Sequence, residues 1–193
     1  MDDKFIHAKR APRGGSTTAV SLNDLLKGPE NGRFPFTSIN GFKLVDAEYK
    51  TPPRDVRRQR REQFNKETRP AFLKNLAETK EKELRAIGID DDGLALMRDG
   101  KSVPGYNVHH KLPIAGGGKN VFSNLIIMPI GPHDELHHRV IDPQIKNKDT
   151  EKGVKIKLPW TDDMVWVRPA QKYEYANAVS SVKTALMKKQ GGR

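Results

Sequence analysis

Five of the six histidines in this chain lie within the stretch "YNVHHKLPIAGGGKNVFSNLIIMPIGPHDELHH", Tyr106 to His138, while His7 stands apart. Near neutral pH an imidazole can ligate a metal or accept a proton, because its ordinary pKa of about 6.5 leaves a ring lone pair free. His133 and His137 are four residues apart, so on a helix they project from one face at a separation that grips a single metal ion. His109 and His110 are adjacent. In a strand such neighbours point to opposite faces, so only one of the two can join a metal held by that helix, and the other must do something else. His138 stands five residues from His133, a spacing that fits one helix face less well. With no cysteine in the chain, disulfides and thiolate sites are excluded, and histidine and carboxylate remain as the strong ligands.

The elements that must position these residues read as strand, loop, strand, helix. "YNVHHKLP" and "NLIIMP" are short apolar-bearing runs joined by the glycine-rich "IAGGGKNVFS", which predicts a hairpin with a long loop. Pro132 suits the first position of a helix over "PHDELHHRVI", with Asp134 and Glu135 in its first turn, where the helix dipole favours acids. Upstream, Pro52 to about Ile87 predicts helix, with Pro53 in the first turn, Pro70 breaking or kinking the run and Gly88 closing it. A short capped helix follows over Leu94 to Arg98, ending at Gly100. "VKIKLPWTDDMVWV" reads as a second hairpin turning at Thr161 to Asp163, and "QKYEYANAVSSVKTALMKKQ" as a terminal helix. Trp160 and Trp166 are expected to anchor a core.

Residues 1–40, rich in Gly, Pro, Ser and Asn, read as a flexible leader with at most a short helix at "SLNDLLK" capped by Ser21. The expected organisation is that leader, a basic helical region over 41–100, the histidine-bearing core over 101–145, and a basic hairpin plus helix over 146–193 packed with the core as one domain. The fold class is α+β.

At 193 residues the chain can bury one real core, and a net charge of +11 with a pI near 9.8 points to polyanionic partners such as nucleic acid. No apolar run approaches membrane-spanning length and no signal peptide opens the chain, so the sequence reads as soluble, without a membrane partner. The charge is uneven: counting Lys and Arg against Asp and Glu, residues 41–88 carry a net +5 and 146–193 a net +6, whereas 89–145 carry −2. A phosphate meeting the histidine segment therefore needs something other than local lysine and arginine, and a bound cation would meet that need. Arg54, Arg57, Arg58 and Arg61, spaced by three and four, form one stripe that could track a phosphate backbone. Lys111 and Lys119 are further candidates for phosphate contact.

"VHHKLPIAGGGKN", followed by "SNLIIM" and "HDELH", resembles the HNH endonuclease superfamily and, within it, the double-histidine DNase toxins of colicin and pyocin type. "GYNVHHKLP" with the closing "IDPQ" looks like nuclease modules of interbacterial effectors. The likeness covers about a fifth of the chain, Tyr106 to Asp142. It implies a ββα-metal core in which His109, His133 and His137 ligate one divalent ion (Zn, Ni or Mg), His110 is the general base, and Asn124 holds the loop and orients that base. It departs from the colicin type before the pair, where "SVPGYN" offers no acid and only Lys101 precedes it. The resemblance implies a metal-dependent, sequence-nonspecific DNase, an antibacterial effector acting in the target cell with an acidic immunity protein as partner, and no small-molecule cofactor. A phage or mobile-element HNH endonuclease, an RNase, or a non-catalytic nucleic-acid-binding module with a structural metal are the alternatives.

Overall fold

The computed structural model describes Phe34 and residues 37–168; the rest of the leader, the Ser21 cap and the terminal helix expected from the sequence lie outside the described residues, while the leader's last residues, Ser38–Ile39, are a strand with Ile39 buried. The fold is a mixed α+β arrangement. A three-stranded antiparallel sheet joins β1 (Ser38–Ile39), β2 (Phe42–Tyr49) and β5 (Val154–Trp160), and a separate antiparallel pair joins β3 (Tyr106–His110) and β4 (Leu125–Pro129). Helices α1 (Arg54–Gln63), α2 (Arg69–Thr79), α3 (Glu81–Ala86) and α4 (Asp91–Arg98) lie between the two sheets in sequence, and α5 (Ile130–Leu136) and α6 (Asp142–Ile145) follow β4.

β4 organises the interior. Its residues alternate between two cores, as period-two geometry requires. Leu125 and Ile127 join Phe64, Phe72, Leu73, Leu76, Leu84, Leu94 and Met97 from the helices, whereas Ile126 and Met128 join Ile39, Phe42, Leu136, Val140 and Trp166 on the other side. A third cluster of Tyr49, Ile141, Ile156 and Leu158 fastens the three-stranded sheet to the chain after α5.

The expected helix over Pro52–Ile87 starts behind Pro53 as its N-cap and is interrupted at Lys80, between α2 and α3, whereas Pro70 neither breaks nor sharply ends it. The chain instead passes through a π-helical turn at Phe64–Thr68, in which the N–H of Arg69 donates to the carbonyl of Phe64, five residues back. Proline lacks an N–H and its ring crowds the carbonyl four residues earlier, and the widened turn accommodates both. The same device recurs at His137–Ile141, where Asp142 N–H donates to the His137 carbonyl immediately before Pro143. Gly88 takes a left-handed φ of 95° just past α3, as its closing role demands. The short helix opens earlier than expected, at Asp91, because the Asp90 side chain accepts from Gly93 N–H at 2.9 Å.

Three expectations are corrected. α5 starts at Ile130 behind Pro129, so Asp134 and Glu135 lie past its first turn. Residues 42–49, assigned to the helical region, are strand β2: Asn40 and Gly41 both have positive φ, 49° and 83°, and make the tight turn that Asn-Gly favours between β1 and β2. The second hairpin does not form. β5 turns at Thr161–Asp163, yet it pairs with β2 from Lys43↔Trp160 to Tyr49↔Val154. The returning segment bonds to β4 instead, with Ile127 N–H donating to Met164 and Trp166 N–H to Ile127, both at 2.9 Å. Burial decides the choice, since Val165 and Trp166 fill the two cores on either side of β4.

The loop between β3 and β4 is folded so tightly that a Cβ on Gly118 would overlap the Leu112 carbonyl, whereas one on Gly131 would meet nothing. Gly118→Ala is therefore expected to lower stability by about 2 kcal/mol or more, and Gly131→Ala to leave it unchanged or raise it by up to ~1 kcal/mol. Urea denaturation midpoints of the two variants check the contrast.

Candidate metal centre and its flanking histidine

The strand register settles which histidine of the pair faces which wall. His109 is paired with Ile126 and His110 with Leu125. Cross-strand partners share a face, so His109 looks toward the core that contains Leu136 and Val140 of the following helical segment, and His110 toward the core that contains Phe64. His133 and His137, one turn apart, present their rings to His109: the ring centroids are 4.9 Å apart for His109 and His133, 5.1 Å for His109 and His137, and 4.9 Å for His133 and His137. One nitrogen from each ring lies within 4.8 Å of the others. Three imidazoles converging in this way could bind a metal ion.

The donor set suits a metal. His109 is only 5% exposed, and its pKa lies well below the ordinary 6.5, chiefly through burial and then through His137 and His133 beside it. Burial and His133 likewise lower His137, against the opposing pull of Asp142. Both rings are held neutral, the form that ligates. His133 Nδ1 lies 2.8 Å from Asp134 Oδ1 and His137 Nδ1 lies 3.8 Å from Asp142 Oδ1, which leaves Nε2 of each ring free to turn inward. His133 and His137 are half-buried, so a ligand can approach from their side. His138 is 77% exposed and reaches only toward Asp142, outside the cluster.

His110 is held separately. Its ring packs on Phe64 with centroids 4.4 Å apart, and its Nε2 lies 2.9 Å from Asn120 Oδ1. Burial lowers its pKa first, the Asn120 bond opposes that, and the charge of Arg61 lowers it further. Asn124, buried beneath the loop, accepts from Leu112 N–H at 2.9 Å and donates to the carbonyls of Leu112 and Lys119 at 3.1 and 3.0 Å. It thus ties the two ends of the loop together. The side chain hydrogen-bonded to His110 is Asn120, which was not among the expected site residues. Its one signal was its place at the end of the glycine run.

Of the cationic candidates, Arg54, Arg58 and Arg61 are exposed along α1, and Lys119 is exposed on the loop. Arg57 is partly buried, its Nε donating to the Pro52 carbonyl at 3.1 Å. Lys111 is a correction. It is 1% exposed, its Nζ donates to the Ser123 carbonyl at 2.8 Å and sits 5.1 Å from the centre of the Trp160 ring, so it pins the loop and does not reach a phosphate. Arg60, outside the arginine stripe, donates to the carbonyls of Gly117 and Gly118 at 3.0 and 3.2 Å and docks α1 on the loop. No helix among the described residues is long and apolar enough to cross a membrane.

Over 103 residues, 53% of this chain, the sequence is 37% identical to a protein of Escherichia coli (strain K12) described as "Uncharacterized protein YhhZ". The match spans 24% of that relative, so the chain corresponds to about a quarter of its length. No family model and no solved structure matches the chain.

Two outcomes follow from the geometry. His137→Ala is expected to weaken Zn²⁺ binding at least about a hundredfold in a competition titration against a chelating indicator, and His138→Ala to leave it unchanged. For the metal-free chain, the folded pKa of His109 lies below the unfolded value of 6.5, so the unfolded state takes up the extra proton. Its contribution to stability is fully present above about pH 6.5 and declines as pH falls toward the folded pKa. The urea midpoint should drop between about pH 7.5 and about 5.5, and His109→Leu should flatten that dependence.

Proposed function

We infer that the chain is a metal-dependent endonuclease that hydrolyses DNA phosphodiester bonds with little regard to sequence, built on an HNH-type ββα-metal core over residues 101–145. The observation that carries this reading is the division of the adjacent pair. His109 joins His133 and His137, while His110 stands on the opposite strand face, neutral, without a place among the three.

A metal held by His109, His133 and His137 would keep positions open for a phosphate oxygen and would stabilise charge on the phosphorus oxygens and the departing 3′ oxygen. By softness an imidazole set favours Zn²⁺ or Ni²⁺ over Mg²⁺. The rest of the work belongs to the chain. His110 takes the proton of the attacking water, and burial together with the Arg61 charge keeps its ring unprotonated and ready. Asn124 fixes the loop behind it. Arg54, Arg58, Arg61 and Lys119 offer exposed charge to the phosphate backbone, with an affinity that falls steeply as salt rises.

The setting rests on the resemblance and on charge: an effector delivered into a competing bacterium, neutralised in its producer by an acidic immunity protein that complements the basic surface. Supercoiled-plasmid nicking with Mg²⁺, Mn²⁺, Ni²⁺ or Zn²⁺, and with EDTA, tests the activity. Wild type should nick only with metal, and His110→Ala should lose at least about a hundredfold while still binding the ion. Plasmid binding without cutting under every ion would make the site structural.

A further inference from the structure

We propose that Asn120 is a positioning residue that fixes the ring orientation and tautomer of His110, leaving Nδ1 as the nitrogen that accepts the proton of water. This rests on the reading of His110 as the proton acceptor.

The orientation of the Asn120 amide is dictated from behind. One end of it lies 2.9 Å from the Arg60 carbonyl and 3.0 Å from Gln63 Oε1. A carbonyl can only accept, so the group facing Arg60 must be the amide nitrogen; turned the other way, two oxygens would oppose each other at 2.9 Å. With the nitrogen committed to α1, Oδ1 is the atom left facing His110 Nε2 at 2.9 Å. Oδ1 has no proton to give. The bond therefore requires the neutral ring to carry its proton on Nε2, and the lone pair falls on Nδ1.

Two further contacts restrict the ring. Phe64 packs against the ring in a tilted contact, and the Arg60 guanidinium holds the Gly117 and Gly118 carbonyls, so the residues leading into Asn120 are bound to the same end of α1. Proton transfer then balances simply. The water's proton passes to Nδ1, the ring becomes imidazolium, and the Nε2–H stays on Asn120 Oδ1, where the developing charge strengthens the bond. A ring with its proton on Nδ1 would present the wrong nitrogen and could not act.

Nitrogen NMR of the full chain labelled in histidine, loaded with diamagnetic Zn²⁺ at a pH where the ring is neutral, reads the tautomer directly. The His110 resonances can be assigned by their loss in His110→Ala. Wild type is expected to show Nε2 protonated and Nδ1 bare. In Asn120→Leu the ring should become a mixture of tautomers, and plasmid nicking should fall about tenfold to a hundredfold with Zn²⁺ affinity kept. Asn120→Asp retains an acceptor for Nε2–H and should restore that tautomer and part of the rate. Protonation of Nδ1 in wild type, or a tautomer indifferent to Asn120→Leu in the folded chain, overturns the proposal. A tautomer that responds as expected in a chain that never cuts nucleic acid rejects the nuclease reading and supports the positioning role.

Discussion

Consecutive residues of a β-strand cannot face the same way, and the arrangement of this protein around β3 follows from that constraint. His109 and His110 need different surroundings, so each side of the β3–β4 pair is walled by a different part of the chain. The side of Ile126 and Met128 meets the helical segment that follows immediately in sequence, which brings His133 and His137 to His109. The side of Leu125 and Ile127 meets the helices that precede the pair, which brings Phe64 to His110. A one-residue slip of β3 against β4 would exchange the two faces and dismantle both environments at once. The full burial of β4 on both faces makes such a slip costly.

The long loop between the two strands is held to the same standard of order as the strands themselves. Asn124 joins its ends, Lys111 is drawn inward over Trp160, and Arg60 and Asn120 lock its middle to α1. Among the described residues no buried side-chain polar atom lacks a partner. A segment so rich in glycine gains its rigidity from side chains contributed by other elements, not from its own backbone preferences. Lys111, expected to reach outward to a phosphate, is instead deeply committed to holding the loop. The helix that carries the exposed Arg54, Arg58 and Arg61 is the same helix whose far end grips Asn120, so the basic surface and the loop share one rigid support.

The sequence made the histidine geometry legible because its rules are local. Helical spacing paired His133 with His137, strand alternation divided His109 from His110, and the glycine run announced the loop. What escaped was either long-range or a competition between burial and pairing. β2 and β5 lie more than a hundred residues apart and form one ladder that no local pattern specifies. The return of Met164–Trp166 to β4 was decided by two cores that do not exist until the chain has folded. Lys111 read as a candidate for phosphate contact because its neighbours in sequence do not reveal Trp160 across from it. Asn40-Gly41 was different: the turn signal was present, but the boundary between the leader and the helical region was drawn through it.

The two widened turns carry a meaning beyond the accommodation of proline. Each sets the angular phase of the helix around it, because a five-residue bond spends one extra residue before the next turn begins. Pro70 follows the turn that begins at Phe64, and Pro143 follows the turn that begins at His137. Both prolines thus sit six positions beyond a residue that faces the histidine pair, one on each side of β3. Neither ring needs to touch the site for its presence to be felt there. The directions in which Phe64 and His137 point are written partly in residues a full turn and a half away, where inspection of the contacts alone would find nothing of consequence.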